Sequence, residues 1–457
     1  MPAPTLTQVT GGLADLSTPG VIGGTTPNVG NFTSVGFPGS SSGKVTLRSQ
    51  VSGNTWTMQL PTTTGVLGQV MQTDGTGVCS WVSGAGQFRV VIASGDTSGT
   101  TDTAVIQAAL NTGPGTVWLT GVNYYVTALT IPSGCTLRGM GPGGLGTGSG
   151  GTILNAKSAG AFVCTLGGSY ASVQNMTIGG SCSAAISDGG NSALIETLIQ
   201  HVDIDASGAS MTNGILIMGA SGYYNRIYNC RIVGPSNAAI NLVGSNLEAD
   251  VAFVNIGYTS THPTYGVYCS QAAAVFTRVE TLGMGSYGFY FAGVGGTCDD
   301  CVADSSGIAG YFATASVEPE GNWNGAFIAD NCWAGSSAGG TPDGQYMVQN
   351  INAQLTGCRA VAGAGYGFLM TGTPGSANLT THIVNGCLAE TNAQNGFYYN
   401  NNLVSATGNM AIYSYSSAVY GHEYGSGAIG LCVGNGGAFN NAGNTHIAGT
   451  MTNAGNM

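Results

Sequence analysis

Charged residues are scarce in this chain: they make up 6% of 457 residues, and only 9 are Lys or Arg. The formal net charge is −11. Phosphate backbones are bound by clustered cations, so we expect no nucleic-acid binding. No apolar run approaches the ~18 residues of a membrane-spanning helix, so we also expect no membrane insertion. Met1-Pro2-Ala3-Pro4 is followed by no basic region or apolar stretch and predicts no secretion signal.

Glycine, in contrast, is abundant, with 78 residues scattered among Ser, Thr, Asn and Ala without a collagen period. Hydrophobic residues make up 43% of the chain, which is enough for a core, so we expect a folded protein. This composition suits many short strands joined by tight turns. The 12 cysteines fall largely at the period of the repeat described next, and we expect buried, reduced thiols.

One six-residue pattern recurs ten times along the chain, about 25 residues apart. Its first and fourth positions are apolar, its third is a turn residue, and its sixth is small or apolar, whereas the second and fifth vary. Ile227–Ile232 is one example. Repeats of about 20 to 50 residues are typical of solenoids, in which each repeat stacks only on its neighbours. The copies begin at Val173, Ile199, Ile227, Val251, Phe276, Cys298, Ala329, Leu355, Val384 and Thr407.

Two positions of this pattern make specific predictions. The fourth position predicts one inward column with each side chain ~4.8 Å above the last. Its members are Met176, Val202, Cys230, Val254, Val279, Cys301, Cys332, Cys358, Cys387 and Met410. The third position is mostly Asn, Asp or Gly, which suit a left-handed backbone, and it predicts a repeated bend. Its members are Asn175, His201, Asn229, Phe253, Arg278, Asp300, Asn331, Gly357, Gly386 and Asn409.

A second pattern runs in step with the first, a glycine followed by a short apolar strand, as in Gly266-Val267-Tyr268. Two strand signals per repeat, with no helical period between them, predict a coil of parallel strands. Parallel crossovers are nearly always right-handed. The predicted fold class is therefore all-β, a right-handed parallel β-helix.

Residues 89–141 resemble the opening of β-helix proteins of the pectate-lyase superfamily. The matching stretches are Gly95-Asp96, Asp102–Leu110, Gly115–Leu119, Tyr124–Val126, Leu129–Pro132 and Leu137–Gly141. Thr101 or Asp102 can cap a short amphipathic helix. The resemblance implies that this helix covers the open end of the coil, whose first rung otherwise exposes its core and its edge.

Residues 19–83 resemble modules of phage tail fibres and tailspikes. The matching stretches are Gly20–Pro27, Gly30–Thr33, Leu60–Gly65, Gln69–Gly77 and Ser80-Trp81. The resemblance implies a virion protein on a phage tail or capsid surface, assembled in the host cytoplasm. We therefore expect a homotrimer that attaches to other virion proteins and recognises a host surface glycan.

Four segments are expected along the chain. Residues 1–86 form a small extended or β segment for virion attachment and trimerisation. Residues 87–160 form the entry of the β-helix with its capping helix, and residues 161–430 form the repeats. Residues 431–457 form a C-terminal cap or tail.

Two acids are expected to meet on the outward side of the strand that follows the bend. Glu280 and Asp304 fall on adjacent rungs, displaced by two residues, which predicts a separation of roughly 8 Å. Inverting glycosidases hold their two carboxyl groups about 6.5–9.5 Å apart. Both acids are therefore weak candidates for catalysis. The alternative, which the acidic composition favours, is that they are solvated surface acids.

A long loop is expected to overhang the same surface, because one interval between copies of the pattern is unusually long. An aromatic ring there can stack on the apolar face of a sugar, while acids and guanidinium groups hydrogen-bond its hydroxyls. The expected glycan-binding residues, on this loop and beside it, are Glu318, Glu320, Trp323, Trp333 and Arg359.

Three further motifs have structural interpretations. Asp203 is expected to pair with Arg231 one rung away. Gly421-His422 resembles a pair found in polygalacturonases, but the other motifs of that family are absent from the sequence. The Cys298–Cys301 motif falls in two repeat columns, with no second motif of its kind. We therefore expect no metal and no cofactor.

Three functions compete. The first is a non-enzymatic fibre or spike that binds host surface glycan, and the second is a tailspike depolymerase that cleaves that glycan. Lyase chemistry usually requires a cationic base, and the only lysines are Lys44 and Lys157. For a depolymerase, hydrolysis would therefore be favoured over lyase chemistry. The third is a cellular pectate-lyase-like enzyme, disfavoured by the phage-like module and the missing secretion signal. The scarcity of clustered carboxylates favours the first.

Overall fold

The computed structural model describes most of the chain beyond residue 87 and short stretches before it. The described residues are 34–38, 44–48, 59–62, 69–74, 76, 78–83, 88–143, 150–191, 194–219, 222–244, 247–270, 272–293, 295–315, 326–335, 344–372, 380–412, 420–425, 428–433, 435–438, 443–447 and 450–454. The chain divides into two compact units, 1–82 and 83–457. The predicted division into four segments stays a prediction.

The first unit contains short strands in two-stranded sheets. Ser34–Pro38 pairs antiparallel with Lys44–Arg48, and Gln69–Thr73 forms a second sheet with Cys79–Ser83. Asp74 shapes the connection of this second pair, because its carboxylate accepts a 2.7 Å hydrogen bond from the backbone N–H of Thr76. Isolated two-stranded sheets are only marginally stable in water.

The second unit is a right-handed parallel β-helix. Each strand pairs in parallel with the equivalent strand of the next coil, as Glu280–Leu282 does with Val302–Asp304. Each coil contributes strands to three faces, which we call A, B and C. Faces A and B are joined at the bend, and face C is a separate 13-stranded sheet.

The strands of the three faces have the following bounds. Ser172–Gly180 and Leu198–Asp205 run through the bend and belong to faces A and B. The other strands of face A are Arg89–Val91, Gly115–Leu119, Cys135–Arg138, Asn225–Tyr228, Leu247–Ala252, Ala272–Thr277, Thr297–Asp299, Phe327–Asp330, Ala353–Thr356, Thr380–Asn385, Asn402–Thr407, Ile429–Val433 and Thr450–Ala454. Those of face B are Asn123–Val126, Ile153–Ala156, Arg231–Val233, Asn255–Gly257, Glu280–Leu282, Val302–Asp304, Trp333–Gly335, Arg359–Val361, Leu388–Glu390, Met410–Ile412 and Gly436–Ala438. Face C comprises Leu129–Ile131, Phe162–Leu166, Cys182–Ser187, Met211–Ile217, Ala238–Leu242, Tyr265–Ser270, Tyr287–Ala292, Ala309–Thr314, Gly344–Gln349, Tyr366–Thr371, Phe397–Asn400, Tyr420–Tyr424 and Gly443–Ile447.

The left-handed bend explains why most coils have three strands where two were predicted. It lies inside the six-residue pattern and divides that pattern between faces A and B. In the first nine copies the third position has φ between 51° and 62°, which confirms the predicted bend. Even Phe253 and Arg278 adopt this conformation, which is uncommon outside Gly, Asn and Asp. Both side chains point to solvent, and the guanidinium lies over the ring at 5.6 Å.

The prediction for the tenth copy is wrong by one residue. Gly408 occupies the bend, with φ of 63°. Asn409, not Met410, continues the inward column, because Met410 pairs with Leu388 on face B and is 49% exposed. An apolar pattern favours methionine at an inward position, so it could not identify a buried asparagine.

The inward column is otherwise as predicted. Its nine members from Met176 to Cys387 are at most 3% exposed. The described cysteines are free thiols. Cys301 donates to the carbonyl of Phe276 and Cys358 to that of Ala329, both at 3.3 Å. The column is thus filled by small groups whose weak donors find backbone acceptors.

Face C lines the core with a stack of rings at centroid spacings of 4.9 to 4.5 Å and interplanar angles of 9° or less. Gly288, next to this stack, also points inward. A Cβ there would lie 2.7 Å from the Cβ of Ala303 on face B, so close packing of the two faces requires glycine. The ring stack consists of Phe289, Tyr311, Tyr346, Phe368, Phe397 and His422.

The predicted capping helix, α1, spans Thr100–Leu110, and Ile106 and Leu110 are fully buried. Its N-cap is Gly99 in a left-handed conformation, not Thr101 or Asp102 as expected. Asp102 instead accepts hydrogen bonds from backbone N–H groups on both sides of the helix, those of Ser94 and Tyr125, each at 2.9 Å.

Side chains tie α1 to the first coil. The amide of Gln107 exchanges hydrogen bonds of 2.8 and 2.9 Å with the backbone of Thr130, on the first strand of face C. Arg89 donates to the carbonyls of Ala109, Gly113 and Pro114 at the end of the helix. The helix therefore covers both the core and the edge of the first coil, as the resemblance implied.

Candidate functional site

The two candidate acids stand on face B where the repeat predicts them. Glu280 and Asp304 lie on the paired strands Glu280–Leu282 and Val302–Asp304 and are displaced by two residues. Strand geometry places their Cα atoms roughly 8 Å apart. Glu280 is exposed and accepts a 2.6 Å hydrogen bond from Nδ2 of Asn255. Asp304 is partly exposed, so both carboxylates can meet a ligand in solvent.

The indole of Trp333 covers Gly335, two residues further along the same strand. A Cβ at Gly335 would lie 2.2 Å from Cη2 of the ring, so this ring position requires glycine. Gly335 pairs with Asp304 on the preceding strand, and Trp333 pairs with Arg359 on the next. The partly exposed indole thus lies between a carboxylate and a guanidinium, and we call Asp304, Trp333, Gly335 and Arg359 the Trp333 platform.

Arg359 is held by an ion pair at the edge of the platform. Its Nη2 is 2.5 Å from Oε2 of Glu390 on the next strand, and both side chains are partly exposed. An exposed pair adds little stability, but it orients the guanidinium. Sugar binding requires an aromatic ring for stacking and groups that accept and donate hydrogen bonds. The Trp333 platform supplies the ring, a carboxylate acceptor and a guanidinium donor.

The predicted loop residues Glu318, Glu320 and Trp323 lie outside the described residues. Their position over face B stays a prediction. The structure brings the other four predicted residues together on one face over four successive strands. These are Glu280, Asp304, Trp333 and Arg359.

Two motifs that resemble catalytic ones lie in the core. His422 is fully buried and stacks on Phe397 at 4.5 Å, so it cannot contact a ligand on the surface. Cys298 and Cys301 are fully buried too. Within the described residues, no group of three or more potential metal ligands occurs.

Asp203 and Arg231 occupy directly paired positions on adjacent strands, as the repeat predicts, but their side chains do not form the expected ion pair. Burial raises the pKa of the Asp203 carboxyl, and the charge of Arg231 offsets part of that rise. Asp203 is half-buried, whereas Arg231 is exposed.

Face C carries an outward aromatic surface that sequence reasoning missed. Part of it forms a hydrophobic cluster separate from the core. The sequence contains a signal for this surface, because two tyrosines flank a glycine and one apolar residue at 265–268 and again at 287–290. These stretches were interpreted only as strands. We call this surface the tyrosine stripe; its members are Tyr265, Tyr268, Tyr287, Tyr290, Phe312, Met347, Tyr366, Leu369 and Tyr398.

Face A carries a groove of about 710 Å³. Glu248 and Asp250 line it and, two residues apart on one strand, point to the same side. Asp250 accepts a hydrogen bond from the hydroxyl of Tyr228. Burial and this carboxylate raise the pKa of Tyr228 to about 12. Sequence reasoning missed these acids because they precede the six-residue pattern. Further lining residues are Tyr224, Val275, Thr297 and Ile328.

Comparisons with known proteins identify the fold. No family model matches the sequence, and a search of curated proteins finds no match. Among solved structures, the chain is similar to the A-module of mannuronan C-5 epimerase AlgE6 from Azotobacter vinelandii. The identity is 14%, the match covers 80% of this chain and 97% of that chain, and the TM-score is 0.50.

Two further solved structures are similar at lower scores. One is the catalytic unit of a thermostable GH87 α-1,3-glucanase from Streptomyces thermodiastaticus, at 14% identity, covering 80% of this chain and 70% of that chain, with a TM-score of 0.47. The other is the Dettilon tailspike protein, at 15% identity, covering 79% and 68%, with a TM-score of 0.35. At these identities the likeness concerns the fold alone.

The described residues contain no helix that is long and apolar enough to cross a membrane.

Proposed function

We propose that this protein is a fibre or spike protein of a phage virion that binds a host surface glycan on the outside of its β-helix. The Trp333 platform carries the glycan part of the proposal. Its indole is partly exposed, rests on Gly335 and has Asp304 and Arg359 on the neighbouring strands. A ring face flanked by an acceptor and a donor matches a sugar, which has an apolar face and a rim of hydroxyls.

The resemblance of residues 19–83 to phage tail fibre modules supports the virion part. On this proposal residues 1–86 attach a homotrimer to other virion proteins, at a tail or capsid surface. The β-helix is also the fold of a mannuronan epimerase and of a tailspike protein. Light scattering tests the trimer, and a stable monomer of 45.7 kDa would contradict it.

The test of glycan binding uses the full chain and a panel of purified bacterial surface polysaccharides. We expect binding to at least one of them. Trp333→Ala should weaken that binding about tenfold, equivalent to ~1.4 kcal/mol, because the stacking surface is lost. Met410→Ala, exposed on the same face, is the matched control and should bind normally. Circular dichroism checks that both variants keep the β-helix.

Two results would contradict the proposal. One is the absence of binding to every polysaccharide on the panel. The other is unchanged binding after Trp333→Ala, which would remove the Trp333 platform as the site. Gly335→Ala sharpens the test, because its Cβ displaces the indole without removing it and should weaken binding as well.

A polysaccharide depolymerase is the second candidate function, and two pairs of carboxylates favour it. Glu280 and Asp304 stand two residues apart in register on paired strands of one face, and Glu248 and Asp250 share one wall of the face A groove. Release of reducing ends from a bound polysaccharide would identify this activity. Asp304→Asn or Asp250→Asn should then abolish release and preserve binding, because the general acid or base is lost while the shape remains.

A further inference from the structure

Four tyrosines form a two-by-two cluster at one end of the tyrosine stripe. Tyr265 stacks on Tyr287 and Tyr268 on Tyr290, with centroids 5.8 and 5.4 Å apart and interplanar angles of 9° and 6°. The remaining contacts are edge to face, at 5.0 to 5.3 Å. Each ring has at least two aromatic neighbours, so the rings hold one another in place and the cluster is preorganised.

The surface that a ligand would meet on this stripe is mainly tyrosine. The four clustered tyrosines are partly exposed, whereas Phe312, Met347 and Leu369 are only 9, 6 and 6% exposed. Burial raises the pKa of Tyr265 and of Tyr290, so their hydroxyls stay neutral at physiological pH. A neutral phenol both donates and accepts hydrogen bonds beside an apolar ring face.

The stripe is long, with partly exposed tyrosines at its two ends. One column runs in unbroken register over six strands, from Tyr268 to Tyr398. Five steps of ~4.8 Å make a strip of about 24 Å. At its far end Tyr366 and Tyr398 form a second ring pair with centroids 5.2 Å apart. Two groups of partly exposed rings this far apart suit an extended chain with many similar units, not a single small molecule.

The charges on this face define the ligand further. None of the described strands of face C contains Lys or Arg, and Glu423 directly follows Tyr398 in the outward column. The whole chain carries −11. An acidic polysaccharide would find no cation to pair with on these strands and would be repelled.

We propose that the tyrosine stripe is a second carbohydrate-binding surface, and that its ligand is an uncharged polysaccharide chain lying along the axis of the β-helix. The partly exposed rings would pack against the apolar faces of successive sugars, and the phenol hydroxyls would hydrogen-bond their hydroxyls. The stripe is on a different face from the Trp333 platform. The two proposals can therefore fail independently.

The test measures binding of the full chain by affinity electrophoresis and calorimetry. Dextran and galactomannan are the uncharged probes, and polymannuronate is the acidic probe. We expect binding to at least one uncharged probe and none to polymannuronate. Tyr268→Ala and Tyr290→Ala should each weaken binding about tenfold, equivalent to ~1.4 kcal/mol. Tyr290→Phe keeps the ring and should lose less than Tyr290→Ala.

Met410→Ala, exposed on face B and outside both proposed surfaces, is the matched control, and it should bind the uncharged probe as the unmodified chain does. Tyr398→Ala, at the other end of the stripe, provides the same test if variants of the cluster fold poorly. A preference for polymannuronate, no binding to either uncharged probe, or full binding by a Tyr268→Ala, Tyr290→Ala double variant would overturn the proposal. Loss of oligomers in the double variant would also overturn it, because the stripe would then be an interface between copies.

Discussion

The middle and the C-terminal end of the β-helix fill the same inward column in different ways. In the middle, from Cys301 to Cys387, the column consists of thiols. The next two members are Asn409 and Asn435, which are 1% and 0% exposed. Asn409 Oδ1 accepts a 2.8 Å hydrogen bond from the backbone N–H of Cys387, and Asn435 Oδ1 accepts one of 2.9 Å from that of Asn409. A column of weak donors thus becomes a column of amides bonded along the axis.

Other polar groups cluster in the core at this end. His382 is fully buried; its Nε2 donates to the carbonyl of Ile351 at 3.2 Å, and its Nδ1 accepts from Nδ2 of Asn402 at 3.0 Å. In a low-dielectric core such groups support one another when bonded and are costly when orphaned. The comparison teaches that the thiol column should tolerate substitution, whereas the amide column should not.

The largest effect is expected from Asn409→Ala. The change orphans the backbone N–H of Cys387 and the carbonyl of Val384, which accepts from Nδ2 of Asn409 at 2.8 Å. We expect a loss of about 4 kcal/mol in the free energy of unfolding, measured by urea denaturation. Met410→Ala, one residue away and exposed, is the control. Equal midpoints for the two variants would break the comparison.

A pH dependence should follow from His382. Burial lowers its pKa to about 4, while the unfolded chain takes up the proton near pH 6.5. Stability is therefore fully present above about pH 6.5 and falls as the pH drops toward 4, by ~3 kcal/mol in total. Unfolding free energies measured from pH 4 to 7 check this. In the His382→Gln variant, the free energy of unfolding should fall less as the pH drops. An unchanged fall would show that other titratable groups cause the pH dependence.

Substitution in the thiol column should cost less. Cys358→Ala removes one sulfur atom from the core and leaves the carbonyl of Ala329 without a weak donor. We expect a loss of about 1 kcal/mol in the same urea experiment. A loss as large as that of Asn409→Ala would show that the thiols are as essential as the amides.

The smallest effect is expected for thiol reactivity. Burial raises the pKa of Cys164, Cys182 and Cys230 to about 12, and the thiolate is the reactive form. Iodoacetamide at pH 8 should leave these three unlabelled in the folded protein and label them in urea, as read by mass spectrometry. Rapid labelling in the folded state would contradict their burial.

The fold could be predicted in detail because its rules are local. A bend with positive φ favours Asn, Asp or Gly, and the inward positions on either side must be apolar or small, so ten copies of one short pattern identify the coil. The same dependence on a local pattern explains the error at Met410. Because the apolar Met410 follows Asn409, the pattern placed the bend at Asn409 and the inward side chain at Met410, each one residue too late. Helix α1 was predicted from its residues, but its N-cap was not. Gly99 begins the helix through its left-handed backbone conformation and not through a capping side chain, which the search for capping side chains could not detect.

The candidate site was predictable only in part. Glu280, Asp304, Trp333 and Arg359 were placed on one face because outward columns follow from the repeat. The acids of the groove were missed because they lie before the pattern. The tyrosine stripe was missed because its strands were examined only for their inward residues.

By itself the sequence determined the parallel coil, the left-handed bend and the column of buried thiols, since each depends on alternation and residue type within a few positions. Only the tertiary structure decided which outward side chains meet across coils. The indole of Trp333 rests on Gly335, and Tyr268 stacks on Tyr290 from the next coil, because loop lengths set the register and rotamers set the ring positions. Those contacts depend on packing between segments distant in the chain, which no local pattern specifies.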